Sequence, residues 1–167
     1  LEGAVMSYDN WNKTENNITT NSTDYITSYL TDDAINWIDN QNNPWFLWLA
    51  HVAPHTPLHI PPANMYTQPS TNSQMKKYMA MIESLDYEVG RLLNSLTPSE
   101  KINTTIIFIG DNGTPNNVLQ DYPANHGKKT LYQGGIHVPM FVSGYGVTRI
   151  GETENALVNV IDIYASI

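Results

Sequence analysis

A carboxylate and an amide follow an apolar stretch near the middle of this sequence. Asp111 and Asn112 follow Gly110, just beyond residues 105–109, an apolar and β-branched run that is typical of a strand buried on both faces. In open α/β sheets, ligands bind just beyond the carboxyl ends of the strands. Carboxylate and amide oxygens are the hard ligands that Ca²⁺ and Mg²⁺ prefer. The pattern therefore predicts a divalent-metal site, and a plain Asp-Asn-Gly turn is the structural alternative.

A histidine and a lysine are two further candidates. His55 follows Pro54 and precedes Pro57, which restrict the backbone around it, and an imidazole exchanges protons near neutral pH. Lys128 lies in a glycine-rich stretch, residues 127–139. Glycines allow close backbone approach, and a lysine ammonium can neutralise an anionic oxygen. The structural alternatives are a histidine bonded to the backbone of a rigid loop and a solvated surface lysine.

Composition limits the class of protein. A chain of 167 residues with 41% hydrophobic and 14% charged residues is long and apolar enough for one globular domain with a core. A net charge of −8 argues against binding to nucleic acid, which requires basic surfaces. No apolar run reaches the ~20 residues of a membrane span. The chain has no cysteine, which excludes disulfides and thiolate nucleophiles within it.

The elements that would position these residues alternate between helices and buried strands. Apolar residues recur at helical spacing in residues 23–39 and 73–96, and residues 156–167 begin a further helix. We therefore expect an α/β fold in layers, with a mostly parallel central sheet flanked by helices. The expected strands are residues 45–50, 104–109 and 136–142. The segments expected to lack regular structure are the extended surface residues 8–23 and the loops 54–69 and 111–130.

Taken in order along the chain, these segments resemble the sulfatases of the alkaline-phosphatase superfamily. The resemblance rests on the stretches PWFLWLAHVAPHTPLHIPP, YMAMIESLDYEVGRLL, TTIIFIGDNG and KKTLYQGGIHVPMFVSG, and VNVIDIYASI is similar to the helix that follows in family members. It implies an alkaline-phosphatase-like fold that is incomplete in this chain. We expect residues 1–167 to be part of a single sulfatase catalytic domain whose nucleophile segment and C-terminal region lie outside them.

The resemblance assigns a role to each candidate residue. Asp111 and Asn112 match the second pair of divalent-metal ligands of the family, most often for Ca²⁺, with Mg²⁺ as the alternative. His55 matches the histidine that faces the ester oxygen of the substrate. Lys128 matches the lysine that contacts the sulfate oxygens, because it stands four residues before Tyr132 in the pattern K-x-x-x-Y-x-G-G.

Several positions depart from the family pattern, among them Ala165 and Ser166, which stand where the family commonly has Pro-Thr. Lys129 stands where the family often has glycine, so we assign it no catalytic role. Gln133 replaces the usual glutamate and His137 the usual arginine in the run Tyr-Glu-Gly-Gly-x-Arg-x-Pro. Since the usual residues often form an ion pair, we expect a neutral pair in its place.

The nucleophile of the family is not among these residues. Sulfatases use a formylglycine made from the first residue of a Cys/Ser-x-Pro-x-Arg motif, which this sequence does not contain, and the Asp-Asp pair of the other metal ligands is also missing. We expect a sulfuric ester hydrolase in the intact parent, working by a metal-assisted formylglycine mechanism. We expect the chain alone to be inactive.

Two other functions fit the same residues. Phosphodiesterases and phosphonate monoester hydrolases of the superfamily share the metal pair, although Tyr-x-Gly-Gly-x-x-Val-Pro favours the sulfatase branch. A non-catalytic module that binds an anion or a metal is the other alternative. The expected substrate is a sulfate ester, either a sulfated carbohydrate or an aryl sulfate, and analogy suggests a periplasmic or extracellular location. Candidates for a substrate pocket, with packing as the alternative role of each, are Trp48, His51, His59 and His126.

Overall fold

The computed structural model describes residues 6–67 and 73–167 of the chain. These residues form a mixed α/β structure, as predicted. Both sheets in the described residues are two-stranded and antiparallel, so the mostly parallel central sheet is not seen there. The strands are β1 (Trp11–Glu15), β2 (Ile18–Ser22), β3 (Thr105–Ile109) and β4 (Met140–Gly144), and the helices are α1 (Ile26–Asp39), α2 (Gln74–Ser95), α3 (Pro98–Asn103) and α4 (Gln133–Ile136). Short 3₁₀ helices cover Ala63–Met65, Asn116–Val118 and Val160–Ser166.

The two long helices α1 and α2 confirm the helical periodicity of the sequence. They pack against each other, against the β1–β2 hairpin and against the loop that follows residue 50. Apolar side chains contribute most to this packing because their removal from water is favourable. The buried core of this cluster is formed by Tyr8, Trp11, Tyr25, Ile26, Ala53, Met65 and Met81.

A polar network also connects α1 to α2. The fully buried Glu88 carboxylate accepts hydrogen bonds from Ser28 Oγ at 2.8 Å and from the Arg91 guanidinium at 2.7 Å. Arg91 forms a second ion pair with Asp32 on α1. The buried charge is therefore paired and hydrogen-bonded, as a carboxylate in a protein interior requires.

Residues 45–50 do not form the predicted strand. Their composition is typical of a buried strand, but they have no hydrogen-bonded neighbour among the described residues. Consistent with this, the side chains of Phe46 and Trp48 are 60% and 74% exposed. Residues 8–23 also differ from expectation, because they include the β1–β2 hairpin. The loop predicted at 54–69 is confirmed up to Thr67 apart from its single 3₁₀ turn, and residues 68–69 lie outside the described part.

Strand β3 pairs with β4 in antiparallel register, with Ile107 opposite Val142. The prediction that β3 is buried on both faces is wrong for this chain, since its residues are half-buried or exposed. The strand predicted at 136–142 begins later, at Met140, because α4 occupies the residues around the Gly-Gly pair. The helix predicted in 156–167 is a 3₁₀ helix, Val160–Ser166.

None of the helices in residues 6–67 and 73–167 combines the length and the apolar character that crossing a membrane requires.

Candidate active site

The Asp111–Asn112 turn lies at the carboxyl end of β3, as the sequence predicts. Both side chains are exposed, and neither forms a hydrogen bond or an ion pair with another described residue. Their oxygens are therefore available to a ligand. The same exposure is compatible with the plain turn that was the structural alternative.

Backbone hydrogen bonds hold the Asp111–Asn112 turn against the loop that contains Lys128. The amide of Lys128 donates to the carbonyl of Thr114 at 2.8 Å, and the amide of Gly113 donates to the carbonyl of Gly135 at 3.0 Å. The structure thus brings two of the three candidate groups into one cluster of loops beyond the β3–β4 sheet.

Glycines make this close approach of the two loops feasible. A Cβ atom on Gly113 would overlap the carbonyl oxygen of Gly134, and one on Gly135 would overlap the carbonyl oxygen of Thr130. The role predicted for the glycines is confirmed at these positions. Sequence reasoning missed Asn116, whose Oδ1 accepts a hydrogen bond from the Gly127 amide at 3.0 Å.

Lys129 has a left-handed backbone, with φ of +72°. Glycine adopts this conformation without strain, whereas a lysine does so at a cost. The observation gives a physical reason for the glycine that the family often has at this position.

Gln133 and His137 form no side-chain pair with each other among the described residues. Both side chains are exposed, and they are connected only through the backbone, by the His137 amide and the Gln133 carbonyl at 2.8 Å. The expected neutral replacement of an ion pair is thus not formed in this structure.

His55 lies in a tight turn that packs on the helices. Its amide donates to the carbonyl of Val52 at 2.9 Å, and its carbonyl accepts a hydrogen bond from the Tyr8 hydroxyl at 2.7 Å. The imidazole Nδ1 lies 2.8 Å from the carbonyl oxygen of Thr56. Because a carbonyl only accepts, Nδ1 must be the donor of this bond. The ring is exposed, and its Nε2 has no hydrogen-bond partner among the described residues.

No hydrogen bond, ion pair or ring contact joins His55 to Asp111, Asn112 or Lys128 within the described residues. Their connection is indirect, through α2. This helix packs against the core that also contains Ala53, next to the turn of His55, and against the 3₁₀ helix Asn116–Val118. The convergence of all three groups on one bound anion therefore stays a prediction.

The candidates for a substrate pocket lie in different surroundings. The imidazole of His51 is enclosed, and neither ring nitrogen has a hydrogen-bond partner among the described residues. Burial lowers the pKa of His51. His59 is half-buried and packs against Tyr8 in a tilted arrangement, with 4.1 Å between ring centroids. Trp48 is exposed, and His126 stacks on Tyr132 with ring centroids 3.6 Å apart, in the loop that holds Lys128.

The donors at the turn fit part of a metal shell. Asp111 and Asn112 offer two unpartnered hard oxygens, which suit Ca²⁺ or Mg²⁺. In residues 6–67 and 73–167, no group of three or more His, Cys, Asp or Glu side chains is placed to hold a metal ion. The rest of a coordination shell would be completed by other oxygen ligands, such as backbone carbonyls or water.

Comparison with known proteins gives one consistent result. A family model described as Sulfatase matches residues 2–167. The uncharacterized sulfatase YdeN of Escherichia coli (strain K12) is 35% identical over 150 residues, covering 84% of this chain and 26% of that protein. Human N-acetylgalactosamine-6-sulfatase is 25% identical over 149 residues, covering 84% of this chain and 28% of that protein.

Solved structures agree with the sequence relatives. The crystal structure of Ps i-CgsB superposes with a TM-score of 0.67 at 33% identity, covering 77% of this chain and 30% of that one. The same protein has been solved in complex with k-i-k-neocarrahexaose. The chain belongs to the sulfatase family. It spans about a quarter of the length of these two curated relatives.

Proposed function

We propose that this chain supplies one part of the active site of a longer sulfatase, a hydrolase of sulfate esters. The observation that carries the proposal is the pair of backbone hydrogen bonds that joins the Asp111–Asn112 turn to the Lys128 loop. Together with family membership, it supports a site where an acid, an amide and an ammonium act on one anionic group.

Lys128 and His55 would act on the substrate directly. A sulfate ester is an anion that resists attack by a nucleophile, so a fixed cation such as the Lys128 ammonium lowers the barrier by neutralising the sulfate oxygens. As the bond between sulfur and the ester oxygen breaks, the leaving alcohol needs a proton. Nε2 of His55, protonated in the imidazolium form of the ring, would donate it and leave the neutral imidazole, while the bond from Nδ1 to the Thr56 carbonyl holds the ring in place.

Asp111 and Asn112 would hold a divalent metal ion, most often Ca²⁺ in this family and Mg²⁺ as the alternative. When bound, such an ion supplies Lewis-acid polarisation of a sulfate oxygen. The formylglycine nucleophile would come from protein outside these residues. For this reason we expect the 167-residue chain by itself to be inactive.

A sulfated carbohydrate is the proposed class of substrate. The names of two relatives support it, one an N-acetylgalactosamine-6-sulfatase and the other solved with a neocarrahexaose. An aryl sulfate is the simpler substrate for assays. A periplasmic or extracellular location is proposed by the same analogy.

The proposal is tested with the full-length protein, purified with Ca²⁺ and assayed on 4-nitrophenyl sulfate and on bis(4-nitrophenyl) phosphate. We expect turnover of the sulfate, loss of turnover after chelation and recovery when Ca²⁺ is restored. Preference for the phosphodiester would assign the chain to the phosphodiesterase branch. Binding of sulfate without turnover of either ester would indicate a non-catalytic module.

The metal ligands are tested with a matched pair of variants. Asp111→Ala should greatly lower the Ca²⁺ content of the purified protein, measured by mass spectrometry of the metal. Asp121→Ala, which removes an exposed carboxylate from the same long loop, should retain it. Equal Ca²⁺ content in both variants would refute the proposed ligand.

A further inference from the structure

The hydroxyl of Tyr8 connects to both ends of the turn that carries His55. It lies 2.7 Å from the carbonyl oxygen of His55 and 3.1 Å from that of Val52. The amide of His55 closes the same turn onto Val52 at 2.9 Å. The buried Tyr8, remote in sequence, therefore forms a hydrogen bond with the backbone of His55, the residue proposed to transfer a proton.

Tyr8 is itself fixed from several directions. Its side chain is almost fully buried, and its carbonyl accepts a hydrogen bond from the Ile26 amide at the start of α1, at 2.9 Å. The His59 ring packs against it in a tilted arrangement, with 4.1 Å between centroids, and Tyr25 lies beside it at 5.9 Å. Burial raises the pKa of Tyr8, so its hydroxyl keeps the proton that it donates.

His59 is held by two hydrogen bonds of its own. Nδ1 lies 3.1 Å from the carbonyl oxygen of Pro57, which can only accept, so Nδ1 donates. Nε2 of the neutral ring is then the acceptor for the Tyr25 hydroxyl, at 3.1 Å. His59 therefore bonds the loop of His55 at Pro57, two residues after His55 in sequence. It also packs against Tyr8 and so helps to hold Tyr8 in place.

We propose that Tyr8 is a positioning residue for His55, its hydroxyl holding the turn so that the imidazole faces the ester oxygen of the substrate. This inference rests on the proposed function for the role of His55. It adds Tyr8, which lies 47 positions from His55 in sequence, to the residues proposed to serve the reaction. Such positioning should matter for the rate, because general acid catalysis requires the donor to be held within hydrogen-bond distance of the leaving oxygen.

The leaving group of the substrate distinguishes positioning from simple structural support. Phenol is a poor leaving group and needs a proton as it departs, whereas 4-nitrophenolate leaves readily without one. Loss of His55 alignment should therefore slow phenyl sulfate much more than 4-nitrophenyl sulfate. General loss of structure would slow both substrates equally.

The experiment uses the full-length protein with Tyr8→Phe, which removes only the hydroxyl. We expect kcat/KM to fall about tenfold or more on phenyl sulfate and less than about twofold on 4-nitrophenyl sulfate. Tyr29→Phe is the matched control, because its hydroxyl contacts Lys13 and Glu15 instead of the turn, and it should match the wild type on both esters.

Amide hydrogen exchange provides a readout that does not need activity. Exchange in the peptide containing Val52 and His55 should accelerate in Tyr8→Phe and stay unchanged in Tyr29→Phe. Equal loss on the two sulfates, or unchanged exchange, would overturn the inference while leaving the proposed function intact. A wild-type protein that hydrolyses neither sulfate would refute the proposed function and, with it, the catalytic role of this contact.

Discussion

Two regions of the molecule bury their apolar side chains to very different extents. The helical region, residues 6–67 and 73–96, contains every described buried hydrophobic side chain except Val118. The sheet region, residues 104–167, exposes large ones, among them Phe141 at 65% and Tyr164 at 90%. A cavity of about 390 Å³ between β3, β4 and the C-terminal 3₁₀ helix has mostly apolar walls. Apolar surface of this extent is typical of a face that packs against further protein.

The comparison matters for function because each region carries part of the proposed site. His55 lies in the helical region, where a core and the Tyr8 hydroxyl fix its turn. Asp111, Asn112 and Lys128 lie in the sheet region, where backbone bonds and glycines connect the loops. The proposed proton donor is thus supported within this chain, whereas the loops proposed to bind the anion lie beyond a sheet that is half exposed.

The largest expected effect tests whether both regions serve one reaction. In the full-length enzyme, Lys128→Ala and His55→Ala should each lower kcat by about 10²-fold or more, because each removes a group that acts in the transition state. Lys129→Ala is the control, since it removes a neighbouring ammonium with no assigned role. A near-normal rate in Lys128→Ala or in His55→Ala would show that the region containing that residue does not contribute to the catalytic site.

A second prediction concerns charges in the two regions. Glu88→Ala should destabilise the protein by about 1–3 kcal/mol, because it leaves the Ser28 hydroxyl without its acceptor, although Arg91 keeps its ion pair with Asp32. Glu152→Ala breaks a pair with Arg149 in the sheet region in which both side chains are 57% exposed, and it should change stability little. Denaturant unfolding measures both, and similar losses would contradict the contrast in packing.

The third prediction uses pH. Burial lowers the pKa of His51 in the folded protein, so below the ordinary histidine pKa of about 6.5 the unfolded chain binds a proton that the folded one does not. Stability should therefore fall as the pH decreases through that value toward the folded pKa. His51→Phe should reduce this pH dependence of stability. Burial also lowers the pKa of His59, so part of the pH dependence should remain in the variant.

The matched control for this prediction is His137→Phe in the sheet region. Its imidazole is exposed, so the variant controls for replacing a histidine by phenylalanine outside the enclosed surroundings of His51. A His51→Phe protein whose melting temperature falls with acid as steeply as that of the wild type would show that this imidazole is not shielded in solution.

The smallest expected effect concerns the backbone of the Lys128 loop. Lys129→Gly should stabilise the protein by about 1 kcal/mol, because glycine adopts the positive φ of this position without strain. Lys129→Ala keeps the strain and should give no such gain. Thermal unfolding of the two variants decides the point, and a loss of stability in the glycine variant would contradict it.

The sequence predicts the helices and the order of the site loops well, because these depend on local periodicity and turn chemistry. The apolar stripe predicts a helix over residues 73–96, and α2 begins and ends within one residue of these bounds. The glycines around Gly134 mark a close backbone approach, which the structure confirms. Both features depend on short stretches of chain.

The parts that sequence reasoning missed depend on distant partners. Residues 45–50 have strand composition, yet no described segment offers them backbone hydrogen bonds. The bond from Tyr8 to His55 could not be predicted, because a tyrosine in an Asn- and Thr-rich segment carries no sign of where its hydroxyl will lie. The same is true of Asn116, whose side chain supports Gly127 from eleven residues away.

The central claim is that the two regions converge on one bound anion. It is tested most directly by a crystal structure of the full-length protein with Ca²⁺ and sulfate. We expect His55 Nε2 and Lys128 Nζ within hydrogen-bond distance of the same sulfate ion, and the metal bound by Asp111 and Asn112. A structure in which His55 and Lys128 face separate surfaces, or in which the metal lies elsewhere, would contradict the account.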